Sequence, residues 1–465
     1  MLRGILPLIS LMILASCASY CQNDAEKLFP VESNGEWGYI NNRGKMVLEP
    51  KFTSGSDFVN GIAIVEAYDK ESNKIGQTYI NTKGELLAPL GHYKVYPFSC
   101  GLARVEYPEE EGEGAVNFID GHGNLFRESW FKKATDFIQG YAWVFQGVEW
   151  RVIDTLGDVH PFWWVTAAGD TLLSRYTEDS PGGSFSEGLA TLRRGQTCGF
   201  FDMTGKLVID VTFDDCRAFS DGLAAVSVSD NWGFIDKSGK MVVRPRFQEV
   251  QDFFHGGANV KIAERWGRID KDGRYLIQPI YNFIGSVSDG VVLVTKASRE
   301  GTKSGYVRAN GKMIAEVKYD VARMFSEGYA GTAVAGAKSR SILYIDTLGV
   351  VRIKSQFDSF GDFHEGKAIV GMHDKKTNAM LYGYIRKDGS LLIKPQFHEA
   401  SDYSNGIARV RVNQEWGYVN SAGRIIVNPQ FETVENFQDG LGRVRVNGAI
   451  GYVNERGAFI WKPTR

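Results

Sequence analysis

The chain has 465 residues, with 53 Lys and Arg against 55 Asp and Glu and a formal net charge of -2. That balance lacks the basic excess with which nucleic-acid binders displace counterions, so no nucleic-acid partner is expected. A hydrophobic share of 43% is enough to build a core, and 53 Gly with 12% aromatics but only 13 Pro point to many short strands joined by tight turns.

In chain order, Arg3 provides a short positive start, and Ile5 to Leu14 form an apolar run of signal-segment length, too short to cross a bilayer. Leu14-Ala15-Ser16-Cys17 follows. It resembles the lipobox of bacterial lipoproteins, which implies cleavage before Cys17 and acylation of its thiol. On that reading residues 1–16 are a signal peptide and 17–31 a tether. The protein would then sit in the cell envelope, at the outer membrane, with the lipid as its only membrane attachment. The alternative is an ordinary secretory signal cut near Ser19 or Cys21. Cys21, Cys100, Cys198 and Cys216 remain. Cys198 and Cys216 fall in one repeat unit; separate thiols are the simpler expectation and a bridge between them the other. No CxxC and no Cys/His set with zinc spacing occurs, so neither metal nor cofactor is expected.

From residue 32 onward the sequence repeats itself. Trp37-Gly38-Tyr39-Ile40-Asn41, Trp232-Gly233-Phe234-Ile235-Asp236 and Trp416-Gly417-Tyr418-Val419-Asn420 are copies, and in each a second glycine follows six residues after the first: Gly44, Gly239, Gly423. The step recurs from Gly267, after Trp266, to Gly273, and from Gly199, Gly305, Gly383 and Gly451. Degenerate copies keep the second glycine and place Thr78, Asn117, Arg151, Trp163 or Leu343 at the first, giving thirteen hairpin signatures. Eight residues beyond the turn glycine comes an aromatic, six further a second bulky residue, and three further a glycine, as in Phe247, Phe253 and Gly256. Repeats therefore cover 32–157 and 184–465, with an irregular segment and a truncated hairpin in 158–183.

One clean unit shows the local physics. Leu223 to Val228 alternates as a half-buried strand, Trp232 to Ile235 is aromatic and β-branched, Gly239 supplies the positive φ of a tight hairpin, and Pro245 ends a third strand. The expected unit is a three-stranded antiparallel meander of 34 residues, marginal alone and stabilised by its neighbours. The pattern resembles the bacterial WG, or KWG, β-repeat. That resemblance implies an extracellular or envelope protein and brings no catalytic residues. Gln77, Ala115, Cys198, Ser304, Tyr382 and Ile450 stand where the Trp would be.

The seven histidines show no fixed acidic or cysteine partner, Asp270-Lys271-Asp272-Gly273 is an ordinary turn rather than a calcium loop, and no nucleophile motif occurs. No catalytic residue is expected, and the chain reads as a non-enzyme. The motif tryptophans read chiefly as packing residues; stacking on sugars is the other reading. Length varies in one place only, the loop between the first two strands. Five such tips are long, carrying Asp69, Lys70 and Glu71; Glu109, Glu110 and Glu111; Arg299; Lys338 and Arg340; and Lys375 and Lys376. Loops on a rigid scaffold carry recognition, so these are the candidate binding residues. The expected fold is all-β, with tandem three-stranded hairpin repeats in an open superhelical array, or alternatively one or two β-propellers. The expected function is a non-catalytic envelope scaffold for a protein or a surface polymer, with glycan binding through the tryptophans as the alternative.

Overall fold

The computed structural model describes residues 27–463 apart from 70–73, 89–92, 108–114, 139, 147–148, 161–163, 166–170, 173–184, 203–205, 300 and 335–340. Cys17 and the signal segment lie outside the described residues. The described chain is built of β-strands in small antiparallel sheets taken in sequence order. Thirteen sheets form among the described residues: twelve of three or four strands, and one short pair, Trp164–Val165 with Thr171–Leu172. Two compact units divide after Phe213.

The expected three-stranded unit is corrected. In the second unit each sheet has four strands, as in Glu249–Val250, Ala258–Ile262, Arg265–Ile269 and Tyr275–Tyr281. The added strand comes from the linker. Its cause is backbone satisfaction: a linker crossing apolar surface must pair its N–H groups, and Gln248 N donates to Lys261 O while Gln251 N donates to Asn259 O. These small four-stranded sheets are propeller-like blades, the alternative expectation, rather than the units of an open superhelical array.

Cores lie between successive sheets. In the second unit Leu223, Phe234 and Val243 of one blade pack with Val250, Phe253, Val260 and Ile269 of the next. The same pattern recurs with Tyr418, Val427 and Phe431 against Phe437, Val444 and Val453. In the first unit Tyr39, Leu48 and Phe52 meet Ala63, Val65 and Ile80.

The third strand carries a bulge opposite the motif glycine. Trp232 pairs with Phe247 and Phe234 with Val243, so two residues on one strand face four on the other. Gly233 lies against this bulge, and a Cβ there would sit 2.5 Å from Val243 O and 2.7 Å from Pro245 N. Gly38, Gly267, Gly383 and Gly417 meet the same backbone atoms of their own blades. Where Leu343 replaces the glycine, no bulge lies opposite it. Leu343 pairs regularly with Lys354. Thr78 Oγ1 donates to Ala88 O at 2.7 Å, and Asn117 Nδ2 to Arg127 O at 2.8 Å, in blades whose third strand is reduced to single bridges.

Candidate functional site

Two surfaces were candidates: the motif tryptophans and the tips between the first two strands. Trp37, Trp232, Trp266 and Trp416 are half-buried, each against an inter-blade core. Trp150 is buried outright at 5% exposure. Guanidinium groups cover two of the remaining faces, Arg217 at 5.0 Å from the Trp232 ring and Arg411 at 5.8 Å from that of Trp416. Ile450 and Cys198, which replace the Trp, are also buried. The position is a packing position.

The aromatic after the glycine does a second job. Tyr306, Tyr384 and Tyr418 are fully buried, and their hydroxyls donate to the carbonyls of Arg323, Ser401 and Glu435 at 2.6, 2.7 and 2.6 Å. Each acceptor lies seventeen residues on, in the linker entering the next blade. Burial raises the pKa of these phenols, so they remain donors.

The short tips are clamped. Ser229 N donates to Asp214 Oδ2 at 2.6 Å, Glu264 N to Gln248 Oε1 at 2.9 Å, and Gly448 N to Glu432 Oε2 at 2.9 Å. In each case the acceptor is the residue just after the linker aromatic. His398, read from sequence as a surface histidine, fills this role, its Nδ1 accepting from Asn413 N at 2.9 Å.

The long tips extend the hairpin beyond this clamp. Tyr68 pairs with Ile75 and Asp69 with Lys74, two and three rungs past Glu66–Gln77. Tyr68 and Ile75 are exposed. Ala297 N is clamped by Asn282 Oδ1 at 2.8 Å, and the hairpin continues through Ser298–Gly301 to exposed Arg299. His373 N is clamped by Asp358 Oδ2 at 2.8 Å, and the six-residue loop beyond it exposes Lys375 and Lys376. Asp374 orders that loop, its Oδ1 accepting from Lys376 N and Thr377 N. Lys70, Glu71, Glu109, Glu110, Glu111, Lys338 and Arg340 lie outside the described residues.

The sequence profile of the WG containing repeat matches nine stretches: 37–70, 78–107, 199–232, 232–266, 266–298, 305–333, 344–375, 382–416 and 416–448. The chain belongs to the WG containing repeat family. This WG-repeat protein matches no curated protein in sequence. Among solved structures it is similar to a eukaryotic initiation factor, at 12% identity and a TM-score of 0.34 over 72% of this chain and 97% of that one. It is also similar to the extracellular domain of a hybrid two component system from B. thetaiotaomicron, at 9% identity and a TM-score of 0.23 over 96% of this chain and 76% of that one. Scores at that level carry no argument about function.

Two features depart from the leading sequence reading. Cys198 and Cys216 are each disulfide-bonded, where separate thiols were the simpler expectation; sequence spacing does not give the Cα separation on which a bridge depends. The other is Arg268, which follows Gly267 where the other units of residues 214–464 carry Phe or Tyr. It is 3% exposed. The break in the W-G-[FY] pattern was the available signal.

Proposed function

We propose that this WG-repeat protein is a non-catalytic binding scaffold of the cell envelope, which engages a partner protein or surface polymer through its long tips. The observation that carries the reading is the clamp. Ser229, Glu264 and Gly448 show that a short tip closes on its linker. Past that point the described residues Tyr68, Ile75, Arg299, Lys375 and Lys376 are exposed and lie outside the blade cores. Their chemistry is unlike from tip to tip, which suits one partner rather than a repetitive polymer face. Glycan binding through the tryptophans is the weaker reading, because those rings are half-buried and two are covered by arginine.

In this proposal Cys17 is acylated and holds the protein at the outer membrane, with no other membrane attachment. Mass spectrometry of the membrane-extracted chain would then show loss of residues 1–16 and an added lipid mass; a mature form starting after Cys17 would contradict it. Affinity capture with the lipid-free chain, run beside a glycan array, tests the partner class. Capture of one envelope protein or polymer, lost at high salt, supports recognition by the charged tips. Glycan binding with no dependence on the tips would move the site to the motif face.

A further inference from the structure

In the second unit five of the six junctions between consecutive blades are closed by an edge-on aromatic pair. These are Phe234–Phe253, Tyr306–Phe325, Tyr344–Phe363, Tyr384–Tyr403 and Tyr418–Phe437, with ring centroids 4.8 to 5.2 Å apart. The sixth has neither ring. Arg268 stands for the first aromatic and Val287 for the second.

The loss is coordinated. The larger residue that follows the linker glycine elsewhere, as at Leu223, Val291, Tyr329 or Ile407, is here Gly257, and a Cβ on it would meet Arg268 Nε at 2.7 Å. Asn259, 2% exposed, pairs across the strands with Arg268. Its Nδ2 donates to Gly285 O at 3.2 Å, the linker carbonyl that a tyrosine hydroxyl reaches in other blades. Space remains where the rings would be: a cavity of about 420 Å³ lined by Gln251, Asp252, Phe254, Asn259, Ser286 and Val287 together with Arg268. That size is within the range of small-molecule sites.

No carboxylate hydrogen-bonds the guanidinium in this cavity, and Asp221 acts on it only through its field. Arg268 Nη1 donates to Asn259 Oδ1 at 3.2 Å and Nη2 donates to Phe254 O, both neutral acceptors. Nε has no partner. Two acids of this region are shared with other groups: Asp221 Oδ2 accepts from Gly256 N at 2.7 Å and its Oδ1 lies 3.9 Å from Lys271 Nζ, while Asp252 lies 3.9 Å from Arg217. A buried cation with no carboxylate in contact is costly. Positions that break a fold's own local rule are where function concentrates.

We propose that this junction is a binding site for a small carboxylate. Its charge pairs with Arg268, and its hydroxyl or amide groups meet Gln251, Asn259 and Ser286. The site is independent of the tips. The test is calorimetric titration of the full mature chain with lactate, glycerate and galacturonate, with galactose and inorganic phosphate as comparators. Saturable binding of at least one carboxylate, with none of galactose, is expected. Arg268→Gln should weaken it about tenfold or more, as loss of a charged hydrogen bond implies. Val287→Phe, which leaves the arginine and refills the gap, should block binding while circular dichroism stays that of the parent. The proposal is overturned if the folded parent chain binds none of the three carboxylates, if it binds phosphate alone, or if a folded Val287→Phe chain binds as the parent does.

Discussion

Gly233 lies so close to Val243 that a Cβ on it would be 2.5 Å from the Val243 carbonyl oxygen. The glycine of the motif is thus a consequence of the bulge, and the proline two residues beyond, Pro245, caps the same contact. Gly233→Ala should destabilise its blade by about 1–3 kcal/mol, the usual cost of overpacking a close contact. Urea unfolding measures it. A Gly233→Ala cost no larger than that of a surface substitution would contradict the account.

Much of this was legible in the sequence. The phase of Gly233, Gly239, Phe247 and Phe253 placed the strands, the hairpin and the buried anchors; Phe247 and Phe253 are 0% and 1% exposed. Asp214 and Gln248 were not legible as tip clamps, because their role depends on a partner fifteen or sixteen residues on whose backbone N–H the sequence does not show. The fourth strand was missed for the same reason. Glu249–Val250 has no pattern of its own and pairs only because the next blade offers Val260 and Lys261. Arg268 was visible as a deviation, but the matching losses at Gly257 and Val287 acquire meaning only once the blades are seen side by side.

The turn at Ala263-Glu264 holds both residues at positive φ, 48° and 60°. A two-residue hairpin of this kind is best served by Asn or Gly, and a residue such as Ala is strained there. Ala263→Asn should raise stability by about 1 kcal/mol, leaving the Glu264 contacts to Gln248 and Lys261 in place. Thermal unfolding would show it, and an unchanged or lowered midpoint would count against the strain.

Asp236 orders the hairpin turn before Gly239. The Ser238 hydroxyl, joined by the Lys240 and Ser238 backbone N–H groups, holds its carboxyl below the usual aspartate range. The N–H of His373 does the same for Asp358. Folded pKa values below the unfolded one mean that this stability is fully present above about pH 4. It is lost as the pH falls through the folded value. Asn occupies the Asp236 position in other blades, where Asn41 and Asn420 accept the same backbone bonds. Asp236→Asn should therefore fold and show a shallower loss of stability between pH 4 and 2. Equal slopes for the two proteins would show that Asp236 does not contribute.

The scaffold reading rests on the tips being separable from the fold. The direct measurement is binding of the captured partner by a chain in which all five long tips are replaced by the short Ser229-Asp230 turn. Circular dichroism and unfolding midpoint should stay those of the parent, because the blade cores and linker clamps are untouched, while partner binding is lost. Binding that persists in this chain, but disappears when Trp37, Trp232, Trp266 and Trp416 are changed to Leu in a still-folded protein, would contradict the account and place recognition on the motif face.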